Sequence, residues 1–177
     1  MTALPAIDPD RLWSRLMDFA RIGATPEGGV RRLAFDPAEI AAHRHLADLA
    51  LARGFALSLD PAGNLFIRRE GADPDAAPVV SGSHLDSQPS GGRFDGVFGV
   101  LAAFEALETA QDAALVLRRP LEVVVWANEE GSRFRPGCLG SAVYAGETPL
   151  EAALAVVGDD GALYGEGVAA LAAALPE

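Results

Sequence analysis

The segment Pro78-Val79-Val80-Ser81-Gly82-Ser83 runs directly into His84-Leu85-Asp86, and the predicted fold is built outward from it. Its apolar start predicts a short strand that delivers His84 at its carboxyl end. The apolar spacing over 96–110 predicts a helix, and the β-branched run at 121–126 predicts a buried strand. Strand, helix and strand at this length predict a βαβ unit with parallel strands and a right-handed crossover.

Two helices and a hairpin are predicted before this unit. Asp8 and Asp36 each stand before a proline, as an N-cap does before a proline at the first helical position, and this predicts helices over 9–22 and 37–53. The apolar period then changes to two, and the turn at 61–64 separates two short runs, which is typical of a hairpin. Beyond Gly131 the spacing favours helices at 139–145, 150–156 and 165–175. The sequence therefore predicts an α/β fold.

Composition argues against two classes of partner. Half of the 177 residues are hydrophobic, which is enough for the core of one domain. The net charge of -11, from 14 Lys and Arg against 25 Asp and Glu, argues against nucleic acid and against an anionic membrane. No stretch predicts a signal peptide or a membrane span, and Cys138 has no second cysteine to pair with. We therefore expect a cytoplasmic protein.

His84 and Asp86 form the first candidate site. Alternate residues of a strand face the same side, so the Asp86 carboxylate could accept the Nδ1–H of His84 and leave Nε2 free for a metal. The alternative interpretation is a histidine that is capped locally at a strand end.

Asp95 is the second candidate, because it lies among glycines where a loop becomes a helix. Gly91 and Gly92 precede it, and Gly96 and Gly99 follow it. Glycine permits positive φ and a close backbone approach, which would let one carboxylate enter a crowded site. The alternative is an ordinary aspartate N-cap of the following helix.

Glu129 and Glu130 end the apolar strand at 121–126, and they lie where open α/β sheets carry their sites. Two adjacent carboxylates are costly there unless a cation pairs with them. One of them could bind a metal while its neighbour acts as a general base. The alternative is a solvated pair of acids at a strand end.

The remaining histidines are His43 and His45, two residues apart on the second predicted helix. At that separation they point to different faces of the helix, so neither joins His84 easily. We expect both to be ordinary surface or boundary residues.

The stretches GSHLDSQPSGGRFDGVFGVLAAFEAL at 82–107 and VVVWANEEGSRF at 123–134 resemble the amidase, hydantoinase and carbamoylase family of dinuclear metal hydrolases. This family contains N-carbamoyl-L-amino-acid hydrolase, β-ureidopropionase and allantoate amidohydrolase. The similarity also includes residues 20–30, 63–66, 139–141 and 145–146. It implies an M20-like, zinc-exopeptidase-like catalytic domain, with a mixed, mostly parallel sheet flanked by helices, of which residues 1–177 would be the N-terminal part.

The same resemblance implies a role for each candidate residue. His84 would bind one metal ion, Asp95 would bridge two ions, and Glu130 would bind the second ion. Glu129 would be the general base, and Asp86 would orient His84. The cofactors implied are two divalent ions, which could be zinc, manganese, cobalt or nickel.

The family's substrates are small ureido or amide compounds, and the enzyme hydrolyses a C–N bond that is not a peptide bond. Its members are homodimers more than twice as long as this chain, with further ligand positions and a lid and dimerisation domain that are absent here. We therefore expect an inactive N-terminal fragment of a carbamoylase-type enzyme. The alternatives are a related dinuclear peptidase or deacylase, and a non-catalytic regulatory or interaction remnant. Asn128 and the continuation at 131–134 favour the carbamoylase.

Overall fold

The computed structural model describes residues 5–73 and 75–176, and these contain six helices and four strands. The helices are α1 (Pro9–Phe19), α2 (Pro37–Ala52), α3 (Val97–Asp112), α4 (Leu139–Tyr144), α5 (Leu150–Leu154) and α6 (Tyr164–Ala174). The strands are β1 (Ala56–Leu59), β2 (Leu65–Arg69), β3 (Val79–Ser83) and β4 (Leu121–Val125). The predicted α/β class is confirmed, and so are the three short C-terminal helices.

The four strands form one mixed sheet in the order β1-β2-β4-β3. Strands β1 and β2 form the predicted hairpin, because the turn between them is too short for a crossover and makes the pair antiparallel. Strand β2 is also antiparallel to β4, whereas β3 and β4 are parallel and joined by α3, as predicted. Ser83 pairs with Val125, so the two parallel strands end together at one edge of the sheet. The handedness of the crossover stays a prediction.

Both predicted N-caps are present. The Asp8 side chain accepts hydrogen bonds from the backbone N–H groups of Asp10 and Arg11, and Asp36 accepts one from Glu39. These bonds satisfy N–H groups that have no partner within a first helical turn.

Helix α1 is shorter than predicted: it ends at Phe19 instead of residue 22. The guanidinium group of the buried Arg32 explains the early end. Its Nη1 donates to the carbonyl oxygens of Phe19, at 3.2 Å, and Ile22, at 3.0 Å. Residues 20–23 therefore form turns that direct their carbonyl groups toward Arg32.

The main core lies between the sheet and helices α1 to α3. Alternate residues of β2 and β4 are fully buried on this face, as the period of a strand requires; they are Leu65, Ile67, Val123 and Val125. Each such side chain contributes about 1.5–3 kcal/mol when it leaves water. The core thereby fixes the two strands whose ends carry the candidate site.

A second core supports the loop that follows β4. Phe134 from that loop packs against Tyr164 of α6, with ring centroids 5.4 Å apart, and Phe35 packs 5.0 Å from the same tyrosine. The Tyr164 hydroxyl donates to the carbonyl oxygen of Ala62 at 2.7 Å. Within the part of the chain that the structure describes, no helix combines the length and hydrophobicity that crossing a bilayer requires.

Candidate metal centre

Three predicted ligands meet at the edge where β3 and β4 end. His84 directly follows β3, Glu130 lies five residues beyond β4, and Asp95 precedes Gly96 at the start of α3. One possible ligand atom from each residue lies within 4.8 Å of the other two. His84 is buried, Glu130 is partly exposed and Asp95 is exposed, so the group opens to solvent on one side.

His84 is oriented by the main chain of Asp86. Its Nδ1 lies 2.9 Å from the Asp86 carbonyl oxygen, whereas the nearer carboxylate oxygen, Oδ1, is 3.4 Å away. A carbonyl oxygen can only accept, so Nδ1 carries the hydrogen. Nε2 then faces Asp95 Oδ1 at 3.9 Å and Glu129 Oε2 at 3.4 Å. The sequence predicted the Asp86 carboxylate as the acceptor of this hydrogen, whereas the carbonyl oxygen of the same residue makes the shorter contact. The strand ends at Ser83, so the alternation of faces does not extend to Asp86.

The Asp86 carboxylate instead ties the two halves of the site together. It is almost fully buried, and its two oxygens accept the backbone N–H groups of Glu129 at 3.2 Å and Glu130 at 3.1 Å. Hydrogen bonds to a charged acceptor are stronger than those between neutral groups. Asp86 therefore fixes the backbone that presents both glutamates.

Acidic groups dominate the surroundings of His84. Burial alone would lower the pKa of His84, but the carboxylate and carbonyl of Asp86, together with the charge of Glu129, outweigh it and raise the pKa to about 9. In the described part of the chain, no arginine forms an ion pair with Asp95, Glu129 or Glu130. These carboxylates therefore have His84 as their one cationic neighbour.

Gly96 makes room for the His84 ring. It has φ 67, and a β-carbon there would lie 2.5 Å from both Cε1 and Nδ1 of His84. Gly96 is also the N-cap of α3, where no side chain caps the helix. The alternative interpretation of Asp95 as that N-cap is therefore wrong, and its carboxylate is free to face the site.

Asn128 turns the chain between β4 and the two glutamates. Its φ of 52 places it in the left-handed region, which asparagine tolerates better than most residues. Its buried Nδ2 donates to the carbonyl oxygens of Phe134 at 2.9 Å and Pro136 at 3.2 Å. This clamp closes the loop that carries Glu129 and Glu130.

Three supporting residues were missed from the sequence: Arg32, Gln88 and Ser132. Arg32 Nε donates to the Leu85 carbonyl oxygen at 2.9 Å, which supports the segment between His84 and Asp86. Gln88 and Ser132 contact the Glu130 side of the site. No periodicity marks such residues, because each acts across a long sequence separation; a polar residue within a candidate loop was the one available signal.

Neither of the other histidines reaches the site, but the expected location of His43 is wrong. It is fully buried on the inner face of α2, and its Nδ1 lies 3.1 Å from the Glu39 carbonyl oxygen. His45 is half-buried and stacks on Phe19 with ring centroids 5.0 Å apart. The inner face of α2 is more extensive than the apolar residues alone indicated.

The donor set fits a divalent metal ion. One imidazole nitrogen and two carboxylates converge, and a cation there would offset the charge of the surrounding acids. Mixed histidine and carboxylate ligands suit several first-row metals, so the set does not distinguish among them. A second ion would draw on donors beyond these three.

Comparison with known proteins places the chain. The family model described as peptidase family M28 matches residues 64–171. An N-carbamoyl-L-amino-acid amidohydrolase from Rhizobium meliloti is 42% identical over 160 residues, which are 90% of this chain and 38% of that protein. An N-carbamoyl-L-amino acid amidohydrolase from Geobacillus stearothermophilus is 46% identical over 146 residues, which are 82% of this chain and 36% of that protein. The chain thus spans well under half the length of these relatives.

A solved structure agrees with these sequences. A hydantoinase/carbamoylase family amidase from Burkholderia ambifaria superposes with a TM-score of 0.94 at 52% identity, over 96% of this chain and 42% of that one. The expected family is confirmed, whereas the matching family model is M28 and the M20 designation stays a prediction. The chain belongs to peptidase family M28 and carries the N-terminal part of the fold of the hydantoinase and carbamoylase amidases.

Proposed function

We propose that this chain supplies the metal-binding and proton-transfer half of an amidohydrolase that cleaves ureido C–N bonds. The observation that carries the proposal is the convergence of His84, Asp95 and Glu130, with Glu129 beside them. The similarity to two N-carbamoyl-L-amino-acid amidohydrolases supports the substrate class. A small N-carbamoyl-L-amino acid is therefore the first substrate to test.

His84, Asp95 and Glu130 are the proposed metal ligands. His84 would bind through Nε2, because Nδ1 is engaged by the Asp86 carbonyl oxygen. Asp95 has two carboxylate oxygens and lies within reach of both other ligands, so it could be shared by two ions. The bound metal would polarise the substrate carbonyl and lower the pKa of water. The number and identity of the ions are part of the proposal.

Glu129 is the proposed general base. Its Oε2 lies 3.4 Å from His84 Nε2, and its side chain is partly exposed, so it borders the ligand set and still reaches solvent. From there it would take a proton from the attacking water and return it to the leaving nitrogen. The Asp86 carboxylate would hold Glu129 in place by accepting a hydrogen bond from the Glu129 backbone N–H.

A peptidase is the second candidate function, because the matching family model is described as a peptidase family. The same ligands and base would serve a peptide bond equally well. The choice of substrate therefore depends on groups that bind the rest of the molecule. A homodimer and a cytoplasmic location also remain predictions.

The test uses this chain and a chimera. In the chimera, the chain replaces the matching 160-residue segment of the Rhizobium meliloti relative. Release of the free amino acid from an N-carbamoyl-L-amino acid is compared with cleavage of a dipeptide. We expect ureido hydrolysis by the chimera, and a loss of at least about 100-fold in kcat with Glu129→Gln.

Two outcomes of this comparison would count against the proposal. Preference for the dipeptide would favour the peptidase. Undiminished turnover by the Glu129→Gln chimera would exclude Glu129 as the base.

A further inference from the structure

Two hydrogen bonds hold the Glu130 carboxylate, and both come from Gln88. The Gln88 backbone N–H donates to Oε1 at 3.3 Å, and its side-chain Nε2 donates to Oε2 at 2.6 Å. No other hydrogen bond or ion pair to this carboxylate occurs within residues 5–73 and 75–176. Without them, a partly exposed glutamate would be free to sample several rotamers.

Ser132 supports the orientation of the Gln88 amide. The amide nitrogen faces Glu130, and the Ser132 hydroxyl donates to Gln88 Oε1 on the other side at 2.8 Å. Only the nitrogen of the amide can donate to a carboxylate. The reversed amide would put its oxygen against the negative charge of Glu130 and leave the Ser132 hydroxyl without this acceptor. The three side chains therefore form a directed chain from Ser132 through Gln88 to Glu130.

The segment that provides His84 thus controls Glu130 twice. The Asp86 carboxylate holds the Glu130 backbone N–H at 3.1 Å, and Gln88 holds its side chain. One stretch of five residues, 84–88, therefore contributes one proposed ligand and fixes both the backbone and the carboxylate of another. The distance between His84 and Glu130 is therefore set by these direct hydrogen bonds as well as by the packing of the core.

We propose that Gln88 is a positioning residue for Glu130 and that Ser132 orients Gln88. This inference rests on the proposed metal site. A glutamate that is already held in place loses less side-chain freedom when it binds a metal. Hydrogen-bonding partners of metal ligands typically change metal affinity by about 10- to 100-fold. Gln88 acts through Glu130 and does not bind the metal.

The test is a titration of the purified chain with Co²⁺, followed by its visible absorption and by calorimetry. The variants are Gln88→Ala, Ser132→Ala and the double substitution. Gln111→Ala is the matched control, because Gln111 is the chain's other glutamine and donates to the Arg53 carbonyl oxygen far from the site. Thermal unfolding of each metal-free variant checks that it is folded.

We expect Gln88→Ala to weaken Co²⁺ binding about tenfold and to change the shape of the absorption band, because the geometry of Glu130 changes. Ser132→Ala should weaken binding by about twofold to threefold. The double variant should bind no more weakly than Gln88→Ala, because Ser132 acts through Gln88. Gln111→Ala should bind like the wild type.

The results separate this inference from the function on which it rests. Wild-type affinity and an unchanged spectrum in Gln88→Ala would overturn the role of Gln88 and leave the metal site intact. Additive losses in the double variant would overturn the role of Ser132 as its orienting partner. A wild-type chain that binds no Co²⁺ would overturn the metal site itself, and the role of Gln88 with it.

Discussion

The protein contains two clusters of acidic residues, and they differ in their cations. On α3, Glu105 and Glu108 are buried, yet Arg11 pairs with Glu105 through Nε and Nη2, both at 2.7 Å. Arg15 donates to Glu108 through both Nη1 and Nη2, and Arg53 Nε lies 3.4 Å from Glu108 Oε1. Asp112 closes the network by pairing with Arg11 and Arg53. At the sheet edge, Asp95, Glu129 and Glu130 have no arginine partner among the described residues, and His84 is their one cationic neighbour.

The difference separates a structural cluster from a candidate site. The paired cluster has arginine partners and consists of Glu105, Glu108 and Asp112. The unpaired cluster lacks them among the described residues and consists of Asp95, Glu129 and Glu130. Buried carboxylates that are paired with arginines are satisfied and have no further cation to take up. Carboxylates that converge without such partners leave a negative potential that a metal ion can neutralise. The same residue types therefore have opposite roles, and only their neighbours distinguish them.

The largest expected effect comes from breaking the paired cluster. Glu108→Gln keeps the shape of the side chain but removes the buried charge that pairs with Arg15, and it leaves Arg53 with Asp112 as its remaining carboxylate. We expect the free energy of unfolding to fall by about 3 kcal/mol, measured by chemical denaturation. A change below about 0.5 kcal/mol would show that the network does not stabilise the fold.

A buried pair on α2 gives the next largest effect. Burial lowers the pKa of His43 to about 4, although the Glu39 carbonyl oxygen opposes the shift. Between about pH 6.5 and 4, His43 is therefore protonated in the unfolded chain but stays neutral in the folded protein. The free energy of unfolding falls as the pH falls through that window. The loss reaches up to about 3 kcal/mol.

His43→Gln isolates this contribution. Glu39 works in the opposite direction, because burial and the charge of Asp86 raise its pKa and folding then favours its protonated form. Stability is measured from pH 7 to 4 in the wild type, in His43→Gln and in His45→Gln as the control on the same helix. The slope should flatten only in His43→Gln; parallel curves for all three proteins would contradict the assignment.

Gly96→Ala tests how tightly the unpaired cluster is built. The new β-carbon would lie 2.5 Å from the His84 ring, at a residue with φ 67. We expect a loss of about 2 kcal/mol in stability and a loss of metal binding. Gly92→Ala is the matched control, because nothing lies within 4 Å of a β-carbon there. Equal stability of the two variants would contradict the close approach.

Glu130→Gln, the corresponding change in the unpaired cluster, should have the smallest effect on stability. Without metal, Glu130→Gln removes one of several mutually repelling charges and loses no ion pair, and its amide oxygen can still accept one of the two hydrogen bonds from the exposed Gln88. We expect the free energy of unfolding to change by less than about 0.5 kcal/mol. A loss as large as that of Glu108→Gln would remove the distinction between the clusters.

Much of the fold could be predicted from local sequence signals. Asp8-Pro9 and Asp36-Pro37 marked two helix starts, and the change of apolar period marked the hairpin, because these depend on neighbouring residues. The end of α1 could not be predicted, because it depends on Arg32, which lies beyond a separate loop. The burial of His43 was missed for a related reason: the face that it occupies is set by tertiary packing.

In the candidate site, too, the residues with a local signal were predicted and those that depend on distant contacts were not. His84, Asp95 and Glu130 were found because histidine and carboxylates near glycines and strand ends are chemically conspicuous. The contacts that support them were not found from the sequence. The Asp86 carboxylate binds the backbone of Glu129 and Glu130, which lie 43 and 44 positions further along the chain. Gln88 binds the side chain of Glu130, which lies 42 positions further along. Such contacts follow from the pairing of β3 with β4 and leave no local pattern.

The central claim is that the unpaired cluster binds a divalent metal, and calorimetric titration of the metal-free chain with Zn²⁺ or Mn²⁺ tests it most directly. Wild-type protein is compared with His84→Ala and with Asp112→Asn, which removes a carboxylate from the paired cluster instead. We predict binding by the wild type and by Asp112→Asn, and at least about 100-fold weaker binding by His84→Ala. No binding by the wild type, or equal binding by His84→Ala, would contradict the account.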